Sequence, residues 1–240
     1  MGISIVIPAY NEEQFLPATL KAANEARAAF TSATGLNSEI IVVDNVSTDQ
    51  TAMVARALGA CVILHDVRNI SSVRNAGIRA AVFPIVVAID ADCFLPADGL
   101  VQIWEYMSDE RVVGAALGLR VLSDKKMNRA IASLIQGLVV RTSGILGAVF
   151  CFRRDVALEI GGFPEDKLIA EDSAFAMTMR NFAAKSGRTF GLLRSVEITT
   201  LDRKELALWQ LPGLMVQAVR AFRGAHLRRE DLKFWYDPDR

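Results

Sequence analysis

Four short runs of aliphatic, mostly β-branched residues, at 3–7, 39–43, 61–64 and 85–89, punctuate the N-terminal part of the chain. Between them lie stretches with helical spacing, at 14–30, 48–58 and 72–81. Apolar runs this continuous suit strands covered on both faces, which requires a parallel sheet with helices packed on each side. The expected fold class is therefore α/β, a doubly wound and mostly parallel sheet. The connecting loops agree with that reading. Ser47-Thr48-Asp49-Gln50 has the form of a capping box opening the second helix, and Gly59 suits its end.

The rhythm changes after Asp92. A helix is expected over 97–107, a strand over 111–121, a long apolar helix over 124–140 and a strand over 148–153. A short helix should end at Gly161-Gly162, and Glu171-Asp172 should open another. Short strands are expected at 190–193 and 196–200. With 240 residues, 52% of them hydrophobic, the chain suits one well-packed domain. The shift near residue 95 then separates two halves of one domain, 1–95 and 96–240, rather than two independent units.

Charge and cysteine usage exclude several classes. Twenty-seven basic residues balance 27 acidic ones, so no overall field favours a nucleic-acid partner. Cys61, Cys93 and Cys151 are too scattered for a disulfide framework or zinc knuckle, which suits a reducing compartment. The chain opens on a strand-like run without a basic leader, so no signal peptide is expected. No uncharged apolar run reaches the roughly 18 residues that cross a bilayer. The expected location is cytoplasmic. Arg220, Arg223, Arg228 and Arg229, with Trp209 and Leu214, allow peripheral contact with an anionic membrane.

In an open parallel sheet, ligands bind beyond the carboxyl ends of the strands. The first run leads into Pro8-Ala9-Tyr10-Asn11-Glu12-Glu13 and the second into Asp44-Asn45. The third leads into His65-Asp66 and the fourth into Asp90-Ala91-Asp92. Carboxylates thus collect along one sheet edge. Residues i and i+2 of an extended segment point the same way, so Asp90 and Asp92 should present hard oxygen donors together. That pair suits Mn²⁺ or Mg²⁺ shared with a diphosphate.

Ile5-Val6-Ile7-Pro8-Ala9-Tyr10-Asn11-Glu12-Glu13 closely resembles the opening of family 2 inverting glycosyltransferases. Ile41-Val42-Val43-Asp44-Asn45 running on to Thr51, and Arg74-Asn75-Ala76-Gly77-Ile78, resemble its next two motifs. Asp90-Ala91-Asp92 lies at the family's spacing. Phe152 to Asp155, Gly161-Gly162-Phe163 and Glu171-Asp172 resemble its acceptor-side motif. The resemblance runs from residue 3 to about 200. It implies the A-type, single-Rossmann fold with C-terminal acceptor-side helices. It also implies a nucleotide-diphosphate sugar donor, with uridine favoured, and a saccharide or lipid-linked acceptor.

The same resemblance assigns roles. Pro8, Tyr10, Asn11 and Glu12 would line the nucleoside pocket, with Tyr10 near the base. Asp44 would accept a hydrogen bond from the uracil ring, and Arg74 with Asn75 would form the far wall. Asp90 would contact the ribose or the metal shell, and Asp92 would ligate the metal. Asp172 would be the general base, with Glu171 beside it shaping the acceptor site. Taken alone, Glu171-Asp172 is also what the dipole favours in a helix's first turn.

Some positions depart from the family pattern. Asn69 stands where many relatives have glycine, and asparagine tolerates a left-handed backbone. Gln217 to Arg220 echoes half of the processive Q-x-x-R-W motif, and its tryptophan is missing. Where some relatives carry a histidine after the catalytic helix, this chain has Thr199-Thr200-Leu201-Asp202-Arg203, and phosphate contact would fall to Arg203. A haloacid-dehalogenase-type phosphatase also carries D-x-D after a buried strand. Its Thr or Val two residues on is Phe94 here. A nucleotidyltransferase or a dehydrogenase wants a Gly-rich loop that no strand here supplies. A non-catalytic nucleotide-sugar binding protein remains the other alternative.

Overall fold

The computed structural model describes residues 1–122, 149–167 and 170–201. The expected helix over 124–140, Arg203 and the C-terminal basic run lie outside the described residues. Strands β1 (Gly2–Ala9), β2 (Asn37–Asp44), β3 (Cys61–Leu64) and β4 (Ile85–Ala88) alternate with helices α1 (Leu16–Thr34), α2 (Thr51–Ala57) and α3 (Ile70–Ala80). Then come β5 (Cys93–Phe94), α4 (Gly99–Met107), β6 (Val112–Leu122) and β7 (Phe150–Arg153). Helices α5 (Arg154–Glu159) and α6 (Glu171–Lys185) and strand β8 (Thr189–Leu201) complete the described fold.

All eight strands join one sheet in the order β3-β2-β1-β4-β7-β6-β8-β5. The first four are parallel throughout. The C-terminal half is mixed, because β7 runs antiparallel to both β4 and β6, and β5 antiparallel to β8. The expected mostly parallel character holds, since β6 and β8 also pair in parallel, and β7 and β5 are the strands that run against their neighbours. A hydrophobic run specifies burial on both faces but not the direction of its neighbour. The two short strands expected at 190–193 and 196–200 are one strand with an irregularity, where pairing with β6 jumps from Leu193 to Glu197. The two-residue β5 escapes a periodicity argument altogether.

Alternate side chains of the central strands feed two cores. Ile3, Ile5, Ile7, Val42 and Val87 pack with α1 and α4 on one face. Val6, Ile41, Val43, Val86, Phe150 and Phe152 pack with α3, α5 and α6 on the other. Phe175 of α6 anchors the second core, with rings of Phe150, Phe152 and Phe163 around it. Among the described residues, no helix is long and apolar enough to cross a membrane.

Local chemistry sets the helix starts. The capping box expected at Ser47 to Gln50 does not form. The Ser47 hydroxyl donates to Asp44 instead, and α2 begins at Thr51, whose amide donates to Asp49. An Asx turn has displaced the box. Gly59 does adopt the left-handed conformation that ends this helix. Asn69 is not left-handed: it is extended (φ −149°) and caps α3, its side-chain oxygen accepting from the Ser72 amide at 3.0 Å.

Helix α3 lies unusually close to the sheet at Gly77. A methyl group there would fall 2.2 Å from Val6 Cγ1 and 3.1 Å from Val43 Cγ2. Gly77→Ala should therefore cost about 1–3 kcal/mol of stability, the usual range for overpacking a tight core. Urea denaturation measures this; a variant as stable as the parent would show that α3 does not depend on that seat.

Candidate functional site

The loops after β1 and β2 are bound to each other. The Asn11 amide donates to the Ser47 hydroxyl at 3.0 Å, and the Thr48 amide returns a bond to Asn11 Oδ1 at 2.8 Å. Glu12 donates from its amide to Thr51 Oγ1, and Glu13 to Asp49 Oδ2. Glu13 Oε2 in turn accepts from the Gln50 amide at 2.9 Å. For Asp49, burial would raise the pKa, but bonds from the Thr51 hydroxyl and amide and the Glu13 amide outweigh it and lower the value. Two sequence motifs 36 to 39 positions apart thus form one rigid rim. Asn11 and Val46 on this rim have φ of 55° and 56°, the latter a costly conformation for a β-branched residue.

Asp44 is buried at the end of β2, and one of its oxygens accepts from both the amide and the hydroxyl of Ser47. Tyr10 lies opposite, under the guanidinium of Arg68, which sits 4.4 Å from the ring centroid. Arg68 also donates to the Tyr10 hydroxyl at 2.9 Å. Nothing in the sequence marked Arg68, an isolated loop arginine. His65 pairs its Nε2 with the Ser72 hydroxyl at 2.9 Å.

Asp90-Ala91-Asp92 follows β4 as a turn rather than as extended chain. The Asp90 carbonyl accepts from the Cys93 amide at 3.1 Å, closing a four-residue loop. Strand β4 stops at Ala88, so the i, i+2 argument used an extended geometry that is not present. The carboxylates still converge. Side-chain donor atoms of Asp90, Asp92 and Cys93 lie within 4.8 Å of one another, while Ala91 points into the core. The turn is held from beneath by Thr19 of α1, a fully buried hydroxyl donating to the Ala91 carbonyl at 2.7 Å. Burial, with Asp90 and Asp92 adding to it, pushes the Cys93 thiol pKa up. The two carboxylates are thus the donors suited to a hard divalent cation.

The centre of the site is Arg74. Its side chain is buried, and it bridges three carboxylates from two remote segments. One terminal nitrogen lies 2.8 Å from Asp90 Oδ1. The other lies 3.0 Å from Glu171 Oε1 and 2.8 Å from Asp172 Oδ1. Burial alone would lower its pKa, but the fields of Asp172, Asp90 and Glu171 outweigh it and raise the value. The ring of Phe163 lies beneath the guanidinium, 5.3 Å from centroid to carbon. Asn75 turns away from this cluster. Its amide nitrogen donates to the Phe163 carbonyl and to Glu165 Oε1, and its oxygen accepts from the Phe163 amide.

The predicted residues therefore fall into three groups. Asp90, Asp92, Arg74, Glu171 and Asp172 meet in one cluster, with the acids of α6 on the same side of the sheet as the D-x-D turn. Tyr10 and Asp44 stand at the neighbouring strand ends, with Pro8 inside β1. Asn11, Glu12 and Asn75 have polar groups committed to internal bonds.

A parallel Rossmann-like half, a mixed second half and an acidic turn after the fourth strand together describe the A-type glycosyltransferase fold. The comparisons agree. Residues 4–166 match the model for Glycosyl transferase family 2, and the chain belongs to that family. Among solved structures, a mannosyltransferase from Pyrobaculum calidifontis in complex with GDP-Man and Mn²⁺ aligns with a TM-score of 0.65. It is 22% identical, with 91% of this chain and 64% of that one covered. Glucosyl-3-phosphoglycerate synthase from Mycobacterium tuberculosis, in complex with Mn²⁺, UDP and glucosyl-3-phosphoglycerate, aligns at 0.64 and 17% identity. That match covers 92% of this chain and 78% of the synthase.

Curated relatives also match by sequence. An uncharacterized glycosyltransferase of Mycobacterium tuberculosis is 39% identical over 102 residues, 42% of each chain. The undecaprenyl-phosphate 4-deoxy-4-formamido-L-arabinose transferase of Pectobacterium atrosepticum is 30% identical over 150 residues. That stretch is 59% of this chain and 44% of the relative. Each match thus spans less than half the length of the relative.

Removing the buried cation should be costly. Arg74→Leu leaves three carboxylates facing one another without their counter-ion. Breaking such a pair typically costs 3–5 kcal/mol, and partial exposure of the acids places this case near about 3. Chemical denaturation checks the value; a loss under about 1 kcal/mol would mean that water already solvates the acids.

Proposed function

We propose that this chain is a metal-dependent, inverting glycosyltransferase that moves a sugar from a nucleotide-diphosphate donor, UDP-sugar by preference, to an acceptor hydroxyl. The observation that carries the reading is the Arg74 cluster. It brings the acids of α6 to the D-x-D turn, as a donor site facing an acceptor-side base requires. In this reading residues 1–95 hold the nucleotide and the remainder, to 240, holds the acceptor and the base. UDP and Mn²⁺ in the structure of the mycobacterial synthase support the donor and metal assignments. GDP-Man in the archaeal mannosyltransferase keeps guanosine as the alternative base.

Asp92, with Asp90, would hold Mn²⁺ or Mg²⁺, and the donor set fits a hard cation. When bound, such an ion neutralises charge on the leaving diphosphate. Tyr10 offers a ring face for the nucleobase, and Asp44 a carboxylate for a ring N–H. The strained rim 8–13 and 44–51 would give both a fixed place. Asp172 takes the proton of the acceptor hydroxyl as that oxygen attacks the anomeric carbon from the face opposite the diphosphate. Attack from that face inverts the configuration. The transition state has the oxocarbenium character of glycosidic bond cleavage.

The acceptor class has two candidates, a saccharide and a lipid-linked group. The name of the Pectobacterium relative favours a polyprenyl phosphate. A cytoplasmic protein meeting the membrane through its C-terminal basic run would suit that acceptor.

UDP should bind with Mn²⁺ and weakly in EDTA, and Asp92→Ala should nearly abolish the metal-dependent part. A diphosphate approaching carboxylates is repelled unless a cation intervenes. Calorimetry showing equal affinity with and without Mn²⁺ would overturn this.

The size of the Asp172→Asn effect separates the acceptors. With a hydroxyl acceptor, loss of the base should lower turnover by about 10²–10⁴-fold and spare donor binding. A phosphate monoester is already anionic near neutral pH, its second ionisation lying near 6, so the loss should be far smaller. Donor consumption measured with each acceptor class decides between them, and normal turnover with both would remove Asp172 from the mechanism.

A further inference from the structure

Helix α3 faces both halves of the site. On one side Gly77 seats it against β1 and β2. On the other, its cap Asn69 and its residues Arg74 and Asn75 reach Phe163, Glu165, Glu171 and Asp172, 88 to 98 positions further along the chain. Asn69 Nδ2 donates to the Glu165 carbonyl at 2.9 Å. Asn75 makes three bonds, to the Phe163 carbonyl and Glu165 Oε1 at 2.9 Å and from the Phe163 amide at 2.8 Å. Arg74 completes the set at Glu171 and Asp172.

Asn75 is only 4% exposed, and both ends of its amide are used on this segment. A pocket-wall residue would turn a polar atom toward the ligand instead. The partner loop is shaped to receive it. Gly162 has φ of 73°, and a methyl group there would lie 2.3 Å from Asn75 Oδ1. Past this contact, Phe163 stacks on Phe175 of α6 with centroids 4.0 Å apart. The tether therefore continues as packing into the helix that carries Glu171 and Asp172. Ala170, just before those acids, has φ of 60°, so the helix start is imposed by its surroundings rather than by local preference.

We propose that Arg74 and Asn75 are positioning residues, through which α3 sets the place of Glu171 and Asp172 relative to the D-x-D turn. The consequence for catalysis rests on the reading of Asp172 as the base; the tether itself does not. In this assignment Asn75 contributes to the chemical step and not to the nucleoside pocket.

The test uses the full chain with Asn75→Ala, and Gly162→Ala as a second variant that displaces Asn75 from the other side. Arg74→Lys keeps the charge but cannot span two sides, and it is read by exchange over 163–175 alone, since Arg74 also holds Asp90. Amide hydrogen exchange without ligand should quicken over 163–175 by roughly tenfold or more, as expected for lost local hydrogen bonds, and stay unchanged over 44–51. Calorimetry with UDP and Mn²⁺ should give affinities within about twofold of the parent, while kcat falls by about 10–100-fold at constant donor KM. Small misplacements of a reacting group have effects of that order. A merely structural role would lower stability without splitting kcat from KM.

Unchanged exchange over 163–175 in both Asn75→Ala and Gly162→Ala would overturn the proposal. So would UDP affinity weakened tenfold with kcat preserved, the result expected of a pocket wall. If Asp172→Asn leaves turnover intact, the base assignment fails by itself, and the exchange measurement still decides the tether. Failure of the parent to bind UDP would likewise count against the donor alone.

Discussion

One buried guanidinium organises the site. Arg74 is a cation with only 3% of its surface exposed, and such a group persists only where anions surround it. Its anions come from two places, Asp90 after β4 and Glu171 with Asp172 at the start of α6. Because both sets need the same cation, neither can move far without exposing the other to repulsion. Arginine suits this role better than lysine, since its planar fork presents donors on two sides at once. The mixed half of the sheet and the helix packed on it are thereby fixed against the parallel half.

Around that cation the chain accepts local strain. Among the described residues, Asn11, Val46 and Ala170 are the non-glycine positions with positive φ. One precedes the first helix, one follows Asp44 and one precedes Glu171. Two of them are tied down by long-range bonds: Asn11 by Ser47 and Thr48, and the helix start after Ala170 by Arg74. Strain of this kind, of order 1–3 kcal/mol per residue, survives where the surroundings over-determine the backbone. A rim fixed in this way can present a base-binding face without first paying to order it.

The sequence was most legible where structure is local. Runs such as 3–7 and 85–89 carry their own evidence of burial, and the parallel half appeared where they placed it. The convergence of Asp44, Asp90 and Asp92 on one edge was also legible, because strand ends of a parallel sheet share that edge. What escaped depends on partners remote in sequence. The direction of β7 is set by β4 and β6, and β5 exists only because β8 pairs with it. Ser47 looked like a cap until Asp44 took its hydroxyl, a competition that no spacing rule resolves. The resemblance put Arg74 and Asn75 on one wall together, and adjacency in the chain does not show that their side chains have different partners. On a helix, however, consecutive side chains diverge by about 100°, and one step separated the charge cluster from the loop at Phe163.

The same cluster bears on why a divalent cation belongs in the reading. Among the described residues, Asp90, Asp92, Glu171 and Asp172 set four carboxylates around the guanidinium of Arg74. Arg74 cannot be spared for a ligand's phosphates, since each of its terminal nitrogens already serves an acid. A diphosphate entering such a site meets repulsion of about 1 kcal/mol per charge pair at 4 Å even in bulk water, and about 4 near a protein surface. Taken by themselves, these four acids therefore disfavour a bare diphosphate. If the donor is a nucleotide diphosphate, as proposed, Asp90 and Asp92 would meet it through a shared cation, which gives the proposed metal a basis in the electrostatics of these residues as well as in likeness to relatives.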